Sequence, residues 1–244
     1  MLTRKDVGQQ IYIVSYPRSG NTWMRFLLMN MFYPEEEISF PNVNRLVPDA
    51  HQKAGWHKHK VFDPLILKCH IQEYAPYYVS KNVYIYRDGR DVAVSYYYFK
   101  GLDKELEFNE YLFRFIDGGL HMWKPWINHV YFWLLENPKF DFIPICYEEL
   151  IKNPEENLKK IMWFLNIKKI DSSDEAIERA VKNCCHENLS NIAQRDGLKP
   201  SLLGKKARTG YWKDYINKEM LNYWWRRIGD VMERIGYEKG ESNK

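Results

Sequence analysis

Four short apolar runs punctuate the chain. Each is too short, and too rich in β-branched or aromatic residues, to be a helix. Ile11-Tyr12-Ile13-Val14 stops at Ser15-Tyr16-Pro17-Arg18-Ser19-Gly20, which reads as a strand running into a tight loop. From Asn21 the apolar period changes to that of a helix, with Met24, Leu27, Leu28 and Met31 on one face and Asn21 or Thr22 placed to cap it. Leu65-Ile66-Leu67 leads into Lys68-Cys69-His70, and Val83-Tyr84-Ile85-Tyr86 into Arg87-Asp88-Gly89-Arg90, with a helix expected to open near Asp91. The fourth run, Phe140 to Cys146, ends at Tyr147. After it, Asn153-Pro154-Glu155-Glu156 supplies a cap, a first-turn proline and first-turn acids to a helix whose apolar face is Leu158, Ile161, Met162 and Leu165.

Strands separated by helices predict βαβ units, hence an α/β fold with a central parallel sheet flanked by helices. Ligands of such sheets bind beyond the carboxyl ends of the strands. Here those ends carry Ser15 to Arg18, Lys68 with His70, Arg87, and Tyr147, so these side chains are expected to gather at one edge. No repeat, low-complexity tract or linker divides the chain, and residues 1–244 are expected to form one domain.

At 244 residues a chain buries a sizeable core without disulfides or metals, and the four cysteines (Cys69, Cys146, Cys184, Cys185) show no CxxC pair. They fit reduced thiols, and a cytoplasmic location is expected. No apolar run approaches the roughly 20 residues needed to cross a bilayer, so no membrane partner is expected. With 36 basic against 32 acidic residues spread along the chain, a nucleic-acid binder is disfavoured, although convergent cations would suit a small anion.

The segment YPRSGNTW joins a strand to a helix N-terminus, so its backbone N–H groups and the helix dipole favour an anion, with Arg18, Ser19, Asn21 and Thr22 adding donors. It is not a nucleotide-triphosphate loop: Gly20 is its one glycine, and no Lys-Ser/Thr pair follows. In YRDGRDVAVSYYYF, Arg87 at a strand end and Ser95 on the next helix are suited to a second phosphate. An Arg87 ion pair with Asp88 or Asp91, and a Ser95 hydroxyl bonded back to its own helix, are the competing structural uses.

The order of these two motifs, with Lys68-Cys69-His70 between them, resembles the sulfotransferases of the soluble cytosolic and bacterial type that use 3′-phosphoadenosine 5′-phosphosulfate (PAPS). YPRSGNTW is similar to their 5′-phosphosulfate loop and YRDGRDVAVSYYYF to their 3′-phosphate motif. The resemblance implies a P-loop-like fold, PAPS as sulfuryl donor, 3′-phosphoadenosine 5′-phosphate (PAP) as product, and no metal. Arg18, where the family usually has lysine, would contact the phosphosulfate. Ser19, Gly20, Asn21 and Thr22 would wrap the 5′-phosphate, and Trp23 and Tyr147 would meet the adenine. Lys68 and His70 match the family's KTH pattern, which makes His70 the candidate general base and Arg18 and Lys68 its electrostatic partners. Cys184-Cys185-His186 falls where relatives carry Thr-Ser-Phe, so Cys184 and His186 are candidate nucleotide contacts. Near the C-terminus GKKARTGYWK resembles RKGxxGxWK, so that Lys205, Lys206 and Ala207 would close over the 3′-phosphate. The family's dimer pattern is not matched, with Asn217, Lys218 and Asn222 at its positions, so the oligomeric state stays open.

The reaction so implied moves a sulfuryl group onto a hydroxyl, or an amine, of a small-molecule acceptor. Two rivals are a phosphotransferase on a related sheet and a nucleotide-binding module without catalysis. The acceptor pocket is expected from residues 34–64 and 101–125, the segments that match least. His57-Lys58-His59-Lys60 is expected beside it rather than as a metal tract, because the flanking cations repel a metal ion. Tyr96-Tyr97-Tyr98-Phe99, with Trp123 and Trp126, is expected to divide between core and pocket wall.

Overall fold

In the computed structural model the described residues are 10–51, 64–118, 124–136, 138–198 and 208–244. The apolar runs form β1 (Gln10–Ser15), β2 (Leu65–Cys69), β3 (Lys81–Tyr86) and β4 (Phe142–Cys146). All neighbours pair in parallel, in the order β2-β1-β3-β4. Alternation along the strands sends Ile11, Ile13, Ile66, Val83, Ile85 and Ile145 to one face, and Tyr12, Val14, Leu65, Leu67, Cys69 and Tyr84 to the other. A parallel sheet must be covered on both faces, and this one is.

The helices are α1 (Asn21–Phe32), α2 (Phe40–Leu46), α3 (Gly89–Phe99), α4 (Phe108–Asp117), α5 (Trp126–Val130), α6 (Tyr147–Lys152), α7 (Pro154–Leu165), α8 (Asp174–Asn183), α9 (His186–Arg195) and α10 (Lys218–Arg234). The first face packs α1, α2 and α7 to α9; a third apolar cluster unites α3, α4, α5 and α10 around Trp126 and Trp224. Met24 and Phe26 to Phe32 are all buried, so Leu27→Ala in α1 is expected to cost about 2–5 kcal/mol. The one charge within that buried run, Arg25, is satisfied by the carbonyls of Val43, in α2, and of Val47, just after it, at 2.6–3.0 Å. This caps the end of α2 and fixes where the chain leaves it.

Two helix starts differ from expectation. Neither Asn21 nor Thr22 caps α1: the cap position is Gly20, in a left-handed conformation, and no side chain bonds there. Asn21 instead turns back to donate to the Ile13 carbonyl and the Ser15 hydroxyl, both at 3.1 Å, because a buried amide must find partners beneath the loop. α3 opens two residues before Asp91, with Asp88 as its cap accepting from the Arg90 N–H.

The chain leaves β1 toward β2 on one side and β3 toward β4 on the other. Between the carboxyl ends of β1 and β3 lies the topological switch point, where a crevice opens.

Candidate functional site

The β1–α1 loop occupies that crevice. Arg18 has φ 73° and Gly20 φ 102°, two left-handed residues that curl the loop over the helix end. A Cβ on Gly20 would lie 2.5 Å from the Tyr147 ring, so both its φ and its surroundings demand glycine. Because no side chain caps α1, its first N–H groups remain available to an anion. The Ser19 hydroxyl is buried and has no hydrogen-bond partner among the described residues; the same holds for the Arg87 Nε. Orphaned donors at a helix N-terminus are what a bound phosphate would satisfy.

Arg87, at the end of β3, closes the crevice from the other side. Its guanidinium donates to the Arg18 carbonyl (3.3 Å) and the Arg208 carbonyl (3.1 Å), and lies 4.3 Å from the centre of the Tyr147 ring. It also pairs with Asp91 at 3.7 Å, one of the structural uses weighed for it. Ser95 does not bond back to its own helix. Its hydroxyl accepts from Arg18 Nε at 3.0 Å, so the two phosphate-type motifs are joined directly. Burial and the neighbouring Arg87 lower the Arg18 pKa to about 10, which leaves it cationic at neutral pH.

On the other flank of β1, His70 follows β2. Its Nδ1 lies 2.7 Å from the Ser15 carbonyl, which can only accept, so Nδ1 carries the proton and Nε2 the lone pair. Burial, reinforced by Lys68, lowers the His70 pKa to about 4 and keeps the ring neutral. Lys68 pairs with Asp49 at 3.0 Å. The segment after α2 runs alongside β2, with Lys68 N–H to the Pro48 carbonyl and Ala50 N–H to the Lys68 carbonyl, both 2.9 Å, and this places the carboxylate. Asp49 is an addition by the structure. Its contact depends on a strand-like pairing across residues of unremarkable sequence, and no motif pointed to it.

Trp23 donates its indole N–H to the Cys184 carbonyl at 2.9 Å and meets the Tyr147 ring edge-on. Cys184 therefore takes part through its backbone. Its side chain is fully buried in the core. His186 starts α9, its carbonyl accepting from the Ser190 hydroxyl and its Nε2 buried without a partner among the described residues. Lys205, Lys206 and Ala207 lie outside the described residues, as do Trp123 and the His57 to Lys60 tract. Where the description resumes, Gly210 and Trp212 donate their N–H groups to the Asp91 carboxylate at 2.7 and 3.0 Å, anchoring this segment to α3. Burial raises the Asp91 pKa to about 6 against the pull of Arg87 and these two N–H groups.

A cleft of about 280 Å³ opens on His70, lined by Tyr16, Ile71, Gln72, Glu73, Lys124 and His129. Among the described lining residues, Lys124 comes from the segments expected to form the acceptor pocket, and Gln72, Glu73 and His129 do not. Tyr16 and His129 are brought to it by the packing of α5 beside the sheet. Of the aromatic run, Tyr96 and Tyr97 are buried, whereas Tyr98 and Phe99 are 41% exposed, with Arg18 lying 4.3 Å over the Phe99 ring. Among the described residues no three His, Cys, Asp or Glu side chains are grouped as a metal site would require, and no helix is long and apolar enough to cross a membrane.

Comparison with known proteins accords with this geometry. The chain is 27% identical over 251 residues to a flavonol 3-sulfotransferase of Flaveria bidentis, covering 90% of this chain and 80% of the relative. It is 28% identical over 235 residues to sulfotransferase 1B1 of Mus musculus, covering 84% and 77%. The fold superposes on that of a retinol dehydratase crystallised with androsterone and PAP, with a TM-score of 0.70 at 20% identity over 92% of this chain and 80% of the other. The family model for the sulfotransferase domain matches residues 8–236, and with these relatives it shows that the chain belongs to the PAPS-dependent sulfotransferase family of enzymes.

Proposed function

We propose that the chain transfers the sulfuryl group of PAPS to a hydroxyl of a small-molecule acceptor held in the cleft at His70, with His70 Nε2 as general base. The observation that carries this reading is the 2.7 Å bond from His70 Nδ1 to the Ser15 carbonyl. It orients the ring and leaves the lone pair on Nε2, while burial keeps that lone pair unprotonated at neutral pH. When bound, the nucleotide supplies the activated sulfuryl group and a phosphate leaving group.

The chain's residues supply the rest. The Ser19 hydroxyl, the Gly20 turn, Asn21, Thr22 and the α1 N-terminus would hold the 5′ end, and Arg18 would neutralise charge there. Arg87 and Ser95 would hold the 3′-phosphate, with Lys205, Lys206 and Ala207 over it. Trp23 and Tyr147, edge to face beside the loop, would receive the adenine, with the Cys184 backbone and His186 at its margin. As the acceptor oxygen bonds to sulfur and the sulfur–phosphate oxygen bond breaks, the hydroxyl proton passes to His70 Nε2. Arg18, Lys68 and the helix N-terminus stabilise charge on the departing side; fixed donors of this kind supply a large part of such rate enhancements.

The described cleft wall carries Gln72, Glu73, Lys124 and two histidines, which supports a hydrogen-bonding acceptor. The four free cysteines support a cytoplasmic location. Thermal unfolding with PAP, and separately with ATP and Mg²⁺, tests the donor assignment. PAP at about 100 times its Kd is expected to add roughly 2.7 kcal/mol of stability. Stabilisation by ATP with Mg²⁺ and not by PAP would overturn it.

A further inference from the structure

Asp91 lies in the first turn of α3, fully buried. One of its carboxylate oxygens accepts the Gly210 N–H at 2.7 Å and the other the Trp212 N–H at 3.0 Å, while its main-chain carbonyl accepts from the Tyr211 hydroxyl at 2.8 Å. Three consecutive residues are thus fastened to one. The same segment also bears on Arg87. The Arg208 carbonyl accepts from Arg87 Nη2 at 3.1 Å, and the Tyr211 ring lies 5.5 Å from the guanidinium, which has Tyr147 at 4.3 Å as well. Between Asp91 and Arg87 themselves the closest approach is 3.7 Å, an ion pair too long for a hydrogen bond. Two main-chain N–H groups already engage the carboxylate, so it lends Arg87 a charge without consuming its donors. Arg87 Nε stays buried with no partner among the described residues. A guanidinium held on backbone carbonyls and between rings, with a donor unspent, is preorganised for an anion and not neutralised by the acid beside it.

We propose that Asp91 is a positioning residue for Arg87 and thereby sets the preference for a nucleotide that carries a 3′-phosphate. Asp91 need not touch the nucleotide. It acts through Gly210, Tyr211 and Trp212, which keep the Arg208 carbonyl and the Tyr211 ring at the guanidinium, and through its own charge at 3.7 Å. The proposal rests on Arg87 as a 3′-phosphate contact. It leaves the 5′ end of the nucleotide nearly untouched, because the link from Arg87 to the β1–α1 loop is a long bond of 3.3 Å to the Arg18 carbonyl.

The test compares PAP with adenosine 5′-phosphate (AMP), which differs from it only by lacking the 3′-phosphate. Calorimetry on the full chain gives both Kd values, and the wild type is expected to prefer PAP by about tenfold or more. Asp91→Asn keeps the size of the side chain and one acceptor oxygen, but turns an amide NH2 toward one of the two N–H groups and removes the charge. It is expected to weaken PAP about 10–100-fold, the equivalent of one charged hydrogen bond, and AMP by less than about threefold, so that the preference collapses. Tyr211→Phe removes only the bond to the Asp91 carbonyl. It is expected to weaken PAP by about two- to fivefold, again sparing AMP, and serves if Asp91→Asn fails to fold. Amide hydrogen exchange reads the fastening without a ligand: in Asp91→Asn the Gly210 and Trp212 N–H groups are expected to exchange about tenfold faster or more. Equal weakening of PAP and AMP would overturn the proposal by making the role merely structural. Wild-type PAP affinity in every variant that folds, or unchanged exchange at Gly210 and Trp212 in Asp91→Asn, would overturn it too. A wild type that binds AMP as tightly as PAP would instead remove the 3′-phosphate assignment of Arg87, and the proposal with it.

Discussion

The two halves of the site are built in different ways. On the proposed donor side, Arg18, Ser19, Gly20, Asn21 and Thr22 are consecutive, and their arrangement follows from a strand, two left-handed residues and an uncapped helix start. On the proposed acceptor side, Tyr16, His70, Glu73, Lys124 and His129 come from different connections and meet only because the sheet and α5 are packed as they are. Backbone geometry makes the first half, side-chain packing the second. The donor side should therefore fail through loss of nucleotide affinity, and the acceptor side through loss of turnover.

The largest expected separation is at His70. His70→Ala should lower kcat by about 10²–10⁴-fold while the Kd for PAP, measured by calorimetry, barely moves. A parallel fall in both would erase the distinction between the halves. The converse variant is Arg87→Met, which keeps a stem of similar length beside Tyr147 and removes the charged fork. Hydrogen bonds to a charged group contribute about 1.5–3 kcal/mol, so PAP affinity should fall about 10–100-fold, with the acceptor KM unchanged.

A smaller effect concerns pH. His70 and His129 have pKa values lowered from 6.5 to about 4 and about 3, chiefly by burial. A lowered folded-state pKa means the unfolded chain binds protons first. The contribution of both rings to stability is thus present above pH 6.5 and is lost as pH falls from there through about 4 for His70 and about 3 for His129. Unfolding at graded pH should show this decline, and His129→Phe should make it shallower. In the same way the acid limb of kcat/KM is expected near pH 4 rather than 6.5, since the neutral base persists until then. A limb at 6.5 would mean that His70 is solvated in the working enzyme.

The smallest effect is at the cleft rim, where Lys124 and Glu73 form an exposed ion pair at 2.9 Å. Exposed pairs contribute about 0–1 kcal/mol, so Glu73→Gln should leave the unfolding temperature unchanged and alter the acceptor KM by less than about fivefold. A larger change in KM would show that Glu73 touches the acceptor.

The chain's own pattern determined the α/β class, all four strands, and the edge at which the β1–α1 loop, Arg87 and His70 gather. Those features are short-range: a period of two or of 3.6, a glycine where φ is positive, a polar group at a strand end. Tertiary structure alone decided that Ser95 meets Arg18, that Asp49 pairs with Lys68, that Cys184 offers its carbonyl to Trp23, and that His129 lines the same cleft as His70. Each of these depends on which face of one element packs on another, across 19 to 161 residues of chain, where no local periodicity carries the information. The same reason explains the caps. Asn21 reads locally as a helix cap, but the buried Ser15 hydroxyl and Ile13 carbonyl beneath it compete for its amide and win.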